Sequence, residues 1–303
     1  MMRVAVLGAG LMGHGIALTL ARAGHSVAVT DPNEDARAAL PDRVRASMDL
    51  LGASEDADTT LSRIAVVATL AEAVADAGLV VEAAPEKMAL KQVLFAQAEA
   101  HAPRDAILAS NTSVMPITAI MEGLTHRERA LGTHWWNPPH QIPLVEVIST
   151  RWTDMGVADT VVDLLADAGK QPVRVARDVP GFIGNRLQHA LWREAVALVE
   201  EGVCDAEGVD TVVKTSFGRR LAVLGPLENA DLVGTDLTLD IHSQVLCDLD
   251  ARGHPSPYLE RLVAEGRLGM KSGEGFRRWT ADEADAVRAR VGEHLRRLET
   301  ILP

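Results

Sequence analysis

The chain has 303 residues, 47% of them hydrophobic and 24% charged, and a formal net charge of −12. That length favours two domains over one, and the acidic balance argues against nucleic acid or an anionic membrane as the main partner, since both need basic surface. Cys204 and Cys247 form neither a CxxC pair nor a metal spacing, which points to a reducing compartment, a cytoplasmic setting and no metal site.

The predicted elements begin at once. MMRVAVLGAG shows no signal-peptide core and leads directly into a strand, Val4–Leu7, and a glycine turn. No apolar run in the chain approaches the roughly 20 residues that cross a bilayer. Gly8, Gly10 and Gly13 read G-x-G-x-x-G between that strand and a helix over 11–24, and Asp31 ends the next strand, Val27–Thr30. In this context the glycines allow a tight turn, close approach of a pyrophosphate and packing of helix on sheet, while Asp31 accepts from ribose hydroxyls. Leu11 and Met12 share the loop and the helix start, where free N–H groups meet phosphate. No Arg or Lys follows in DPNED, so NAD is favoured over NADP. His14 has nothing nearby in sequence to orient it and is expected to face solvent.

Further strands are predicted at Ile64–Val67, Leu79–Glu82, Ile107–Ser110, Ala130–His134, Leu144–Ile148 and Val173–Ala176, with helices near 33–52, 70–77 and 87–101 between several of them. Short β-branched runs alternating with helices mean βαβ units and a parallel sheet. After Ala176 the strand signal stops. Ile183, Leu187, Leu191, Ala195 and Val199 make an apolar stripe of helical period, and helices follow near 206–215, 227–248, 256–265 and 281–299. The fold class is α/β: a Rossmann dinucleotide-binding domain, residues 1–179, followed by a smaller all-α domain, residues 180–303.

Three segments carry candidate chemistry. In GTHWWNPPHQIPLVEV, His134 ends a strand and Glu146 lies in the next. Such a pair can be a base with its orienting carboxylate or a buried histidine that is merely satisfied; both readings stand. In SNTS, residues 110–113, small polar groups after a strand cap a helix or make a turn, or Ser113 holds a substrate oxygen. Asn185, one turn into a helix beside Gly184, either stitches two elements together or points at a ligand.

Taken together, GAGLMGHGIA, LVVEAAPEKMALKQVLF, SNTS, GTHWWNPPHQIPLVEVI, DVPGFIGNRL and GMKSGEGF resemble the 3-hydroxyacyl-CoA dehydrogenases in content and in order across nearly the whole chain. The resemblance implies NAD-dependent oxidation of the 3-hydroxyl of an L-3-hydroxy acid or acyl-CoA, as in fatty acid metabolism, and a helical domain that mediates homodimerisation. It implies that His134 is the general base and Glu146 its partner, that Ser113 and Asn185 hold the substrate oxygen, and that Glu86, Lys91 and Asn111 line the cofactor site. Asn137 falls in the substrate loop, where it can also serve the turn alone.

The chain departs from the acyl-CoA pattern HFFNPVPVMKLVE with HWWNPPHQIPLVE, and carries Arg219 and Arg220 before Gly225-Pro226. Both features are closer to the gulonate and carnitine dehydrogenase branches. Arg220 is therefore expected to pair with the carboxylate of a free hydroxy acid, unless it is a solvated arginine near a helix end. A non-catalytic, crystallin-like protein on the same fold is the competing class.

Overall fold

The structure is a computed structural model that describes residues 1–301, apart from the side chains of residues 299 and 300. It divides into two compact units, one running Met1–Arg186 and resuming at Val291, the other Leu187–Arg290.

In the first unit eight strands form one sheet: β1 Arg3–Leu7, β2 Ser26–Thr30, β3 Ile64–Val66, β4 Leu79–Glu82, β5 Ile107–Ser110, β6 Ala130–Trp135, β7 Leu144–Ser149 and β8 Gln171–Val175. Their order is β3-β2-β1-β4-β5-β6-β7-β8. All neighbours are parallel except β6 and β7. The expected parallel sheet thus has one antiparallel pair. Residues 136–143 are too few to carry a crossover helix, so β7 can only return beside β6.

The helices of this unit are α1 Leu11–Arg22, α2 Glu34–Ala38, α3 Leu40–Leu50, α4 Ala57–Leu61, α5 Leu70–Val74, α6 Met88–His101, α7 Ile117–Met121 and α8 Met155–Asp167. The segment expected as one helix over 33–52 is two, with Pro41 in the first turn of the second, a position that proline favours. Successive strand residues feed opposite faces of the sheet. Val4 and Val6 pack with α1, α3 and α8, whereas Ala5 and Leu7 pack with α5, α6 and α7.

The chain continues through α9 Gly184–Glu200, α10 Ala206–Thr215, α11 Pro226–Val233, α12 Thr235–Val245, α13 Pro257–Ala264 and α14 Ala281–Ile301. The single helix expected over 227–248 breaks at Gly234, which has φ +103°, a conformation open to glycine at little cost. The apolar stripe of α9 is not a core stripe: Leu187 is 59% exposed and Leu191 39%. No residue of α10, α11 or α12 is buried.

Candidate active site

The glycine turn has the geometry its spacing predicts. Gly8 sits at φ +121°, and a Cβ there would lie 2.7 Å from the carbonyl oxygen of Ala83. Gly13 meets the turn itself, since a Cβ would fall 1.8 Å from the Gly8 oxygen. Nothing lies within 4 Å of the Cβ position of Gly10, so that side of the loop is open to a ligand. Leu11 is exposed and Met12 half-buried against the core. Asp31 accepts from the Ala9 amide at 2.8 Å through Oδ2 and from the Asn33 amide at 2.9 Å through Oδ1. This ties the carboxylate to the loop and leaves lone pairs for a ribose. Arg37 donates to the Asp31 carbonyl at 2.5 Å and Arg43 to the Ala9 carbonyl at 2.8 Å. These cations lie beyond DPNED on the following helices, which is why the local string did not show them.

His14 does not face solvent. It is buried, with Nδ1 3.0 Å from the Gly10 oxygen and Nε2 3.2 Å from Ser47 Oγ. Its neighbour is His140, at 5.9 Å between ring centres. Burial, with His14, Lys170 and Arg22 adding like charge, pushes His140 down to about 4. Lys170 donates to the carbonyls of Pro139 and Ile142 at 2.6 and 3.0 Å, so the 136–143 loop is fastened at its centre.

At the carboxyl ends of β4 and β5 lies a buried polar network. Glu82 accepts from the Ala84 amide and from Lys91 Nζ, both at 2.7 Å, through Oε1, and from Ser110 at 2.6 Å through Oε2. Lys91 is 1% exposed and also donates to the Ala84 carbonyl at 3.2 Å, with Glu86 at 3.5 Å. Lys91, expected to line the cofactor site, is buried with its ammonium held by the Glu82 carboxylate. Glu86 accepts from Thr112 Oγ1 at 2.8 Å and from the Ser113 amide at 2.6 Å. The turn reading of SNTS belongs to Ser110 and Thr112, whose hydroxyls accept from the amides of Thr112 and Met115. Ser113 Oγ makes no hydrogen bond among the described residues. Asn111 spends its carbonyl oxygen on the Trp135 amide, at 2.9 Å, and so braces β5 against the end of β6.

His134 and Glu146 stand directly opposite each other on the antiparallel pair, so their side chains share a face. Their neighbours Ala130 and Ile148 pack toward α5–α7, which puts the pair on the same face as Val80 and Leu108, and by strand alternation as Glu82 and Ser110. His134 Nδ1 is 2.7 Å from Glu146 Oε2, and both residues are buried. The other carboxylate oxygen accepts from the amides of Ile183 and Gly184 at 2.8 and 3.1 Å. Burial alone would raise the Glu146 carboxyl; the hydrogen bonds from His134, Ile183 and Gly184 outweigh it and hold the group below the usual range. Nδ1 is thereby committed, and Nε2 is the nitrogen left for other chemistry. Asn185 donates to the Ser113 carbonyl at 2.8 Å, so SNTS and the start of α9 are joined. The network around Glu82 and the tie from Gly184 escaped the sequence reading. The trace of the first was visible as a glutamate inside the apolar strand LVVE.

Of the remaining candidates, Asn137 is exposed in the 136–143 loop. Arg220 is exposed and makes no ion pair among the described residues. Among the described residues no group of three His, Cys, Asp or Glu could hold a metal ion, and no helix is long and apolar enough to cross a membrane.

The comparisons with known proteins agree with this geometry. Residues 3–179 match the model of the 3-hydroxyacyl-CoA dehydrogenase NAD binding domain, and residues 181–279 that of the 3-hydroxyacyl-CoA dehydrogenase C-terminal domain. The chain is 36% identical over 99% of its length to the 5-formyl-3-hydroxy-2-methylpyridine 4-carboxylate 5-dehydrogenase of Mesorhizobium japonicum, covering 97% of that relative. It is 38% identical to the mitochondrial hydroxyacyl-coenzyme A dehydrogenase of Homo sapiens, covering 90% of each chain. It is 39% identical to the L-carnitine dehydrogenase of Streptomyces griseus, over 77% of this chain and 70% of that one. A solved structure of a 5-formyl-3-hydroxy-2-methylpyridine 4-carboxylic acid 5-dehydrogenase, described as an NAD+ dependent dismutase, superposes with a TM-score of 0.91 at 36% identity and covers 100% of this chain and 98% of that one. These relatives are dehydrogenases, and none of them supports the non-catalytic alternative. With both domain models matched in order and an open glycine turn beside a tethered acidic side chain, the chain belongs to the 3-hydroxyacyl-CoA dehydrogenase family and is an NAD-dependent oxidoreductase.

Proposed function

We propose that the protein oxidises the hydroxyl of a small carboxylate-bearing substrate, an L-3-hydroxy acid or a compact ring acid, without coenzyme A. The observation that carries the chemistry is the buried His134–Glu146 pair with Nε2 uncommitted. His134 removes the hydroxyl proton through Nε2, and Glu146, fixed by two amides, keeps the proton on Nδ1 and stabilises the imidazolium. Ser113 Oγ and the second N–H of Asn185 donate to the oxygen as negative charge builds on it. NAD, when bound, accepts the hydride; Gly8 through Gly13 receive its pyrophosphate, and Asp31 its ribose. Glu86, Lys91 and Asn111 shape the wall of that site, Lys91 and Asn111 through the strand ends they hold.

The lean to a free acid rests on the Pro-Pro loop, on Arg220 and on relatives whose names give a pyridine carboxylate and carnitine as substrates. Asn137, in the 136–143 loop of the Rossmann domain, is assigned to the substrate loop, and Arg220, in the helical domain that follows near residue 180, to the substrate carboxylate. That domain pairs with a second copy of the chain, as its exposed apolar helices suggest, and the free, exposed cysteines suit a cytoplasmic setting.

The test is NADH formation from 3-hydroxybutyryl-CoA, carnitine, gulonate and an aromatic ring acid carrying a hydroxymethyl group. A free acid is expected to exceed the thioester in kcat/KM, and Arg220→Ala to cost that acid about tenfold or more, one lost charge-assisted contact. Preference for the thioester would defeat the free-acid reading. His134→Asn is expected to lower kcat by roughly 10²–10⁴ with NAD affinity unchanged, and near-normal turnover would defeat the base assignment.

A further inference from the structure

The structure assigns a positioning role to Trp136 and Gly184: they form a size-matched pair that seats the His134–Glu146 dyad. This rests on the reading of His134 as the base. The indole of Trp136 lies 5.1 Å from the His134 ring, tilted by 50°. Phe182, buried and held at φ +50°, flanks the same imidazole at 5.6 Å. The far ring of the indole rests on the backbone of Gly184, where a Cβ would lie 2.4 Å from Cζ2, 3.2 Å from Cη2 and 3.3 Å from Cε2. Gly184 is also one of the two amides that hold Glu146.

One packed chain of contacts therefore runs from Trp136 to the Gly184 backbone, to Glu146 and to His134, and closes on Trp136. A side chain on residue 184 cannot be absorbed without moving the half-buried Trp136 ring, which faces the Cβ position at 2.4 Å, and packed contacts transmit such strain. The indole N–H is buried without an acceptor among the described residues, a penalty that a phenylalanine would not incur. What the indole supplies in return is extent, since the atoms against Gly184 are those a phenylalanine ring lacks. HWWNP and GFIGNR, distant in sequence, are thus complementary in size: a large ring at 136 requires no side chain at 184.

Four proteins test this: wild type, Gly184→Ala, Trp136→Phe and the double variant. Each is assayed for kcat with saturating NAD and the best substrate of the panel above. Each is also scanned for the low-field proton resonance of the His134–Glu146 hydrogen bond, assigned by its loss in His134→Asn. Gly184→Ala is expected to lower kcat at least tenfold and to shift or broaden the resonance, with NAD affinity unchanged. In the Trp136→Phe background the same substitution is expected to cost less than threefold and to leave the resonance in place. Should Gly184→Ala not fold, recovery of folded protein by Trp136→Phe is the same expectation, and failure to recover overturns the pair. A resonance that Gly184→Ala leaves unmoved, or shifts equally in both backgrounds, also overturns it. Coupling in the resonance without coupling in turnover upholds the pair and removes the base assignment instead.

Discussion

The two units differ in how they dispose of their apolar residues. In the Rossmann unit, strand residues alternate into two buried layers, and the charges it buries are paired: Lys91 with Glu82, and His134 with Glu146. In the helical unit, Leu227 is 81% exposed and Leu232 73%, and α11 and α12 bury nothing. Scattered exposed leucines need no explanation, but whole amphipathic helices with no buried face do, because helical stability comes mostly from packing such a face. One unit buries its apolar residues within the chain; the other leaves apolar residues of its helices exposed, as the proposed pairing with a second copy requires. Stability should accordingly be set by internal networks in the first and by assembly in the second.

The sharpest way to break that contrast is at Lys91. Lys91→Met removes a cation and leaves the Glu82 carboxylate buried with no counter-charge. Breaking a buried pair from one side costs about 3–5 kcal/mol, so denaturant unfolding should show a loss of that size. Lys91→Met with Glu82→Gln should recover a large part of it, because the charge is then gone from both sides. A loss below about 1 kcal/mol for the single variant would mean that water reaches Glu82 and that the network is not the keystone of the β4–β5 end.

A second test lies in the helical unit. Burying a leucine fully is worth about 1.5–3 kcal/mol, and a stable interface buries about 800 Å² per partner. Leu227→Glu with Leu232→Glu should convert a dimer into monomers by sedimentation velocity. It should also remove the rise of Tm with protein concentration that assembly imposes on the wild type. A wild type that is monomeric at micromolar concentration would leave the two units alike in their dependence on internal packing.

The same contrast explains what the sequence made legible. The strands and the glycine turn were readable because each rests on a local pattern: a β-branched run, a fixed glycine spacing, an acidic residue at the next strand end. His134 and Glu146 were readable as a pair because an antiparallel return over twelve residues sets them face to face. His14 was misplaced because its surroundings come from distant segments, Ser47 from α3 and His140 from the loop after β6, and the burial of Lys91 against Glu82 of β4 follows from no local spacing. The tie between Gly184 and Glu146 spans 38 residues, and no periodicity announces it.

The smallest expected effect separates packing from protonation inside the Rossmann unit. Burial first, then the charges of His14, Lys170 and Arg22, lowers His140 to about 4, and burial likewise lowers His14 and His25. A histidine whose folded value is depressed contributes its full stability above the unfolded value of about 6.5, and loses it as pH falls toward the folded value, because the unfolded chain binds the proton first. Glu146 has the same sign but acts lower, since its folded carboxyl is held below the ordinary carboxylate range. Between pH 6.5 and 5 the slope of unfolding free energy should therefore belong to the histidines, at no more than about 1.4 kcal/mol per pH unit for each. His140→Asn should flatten that slope by less than one proton's worth, as His140 is only partly buried, while leaving stability at pH 8 within about 1 kcal/mol. An unchanged slope would show that the 136–143 loop opens before His140 titrates, and that Lys170 does not hold it as firmly as its two carbonyl contacts imply.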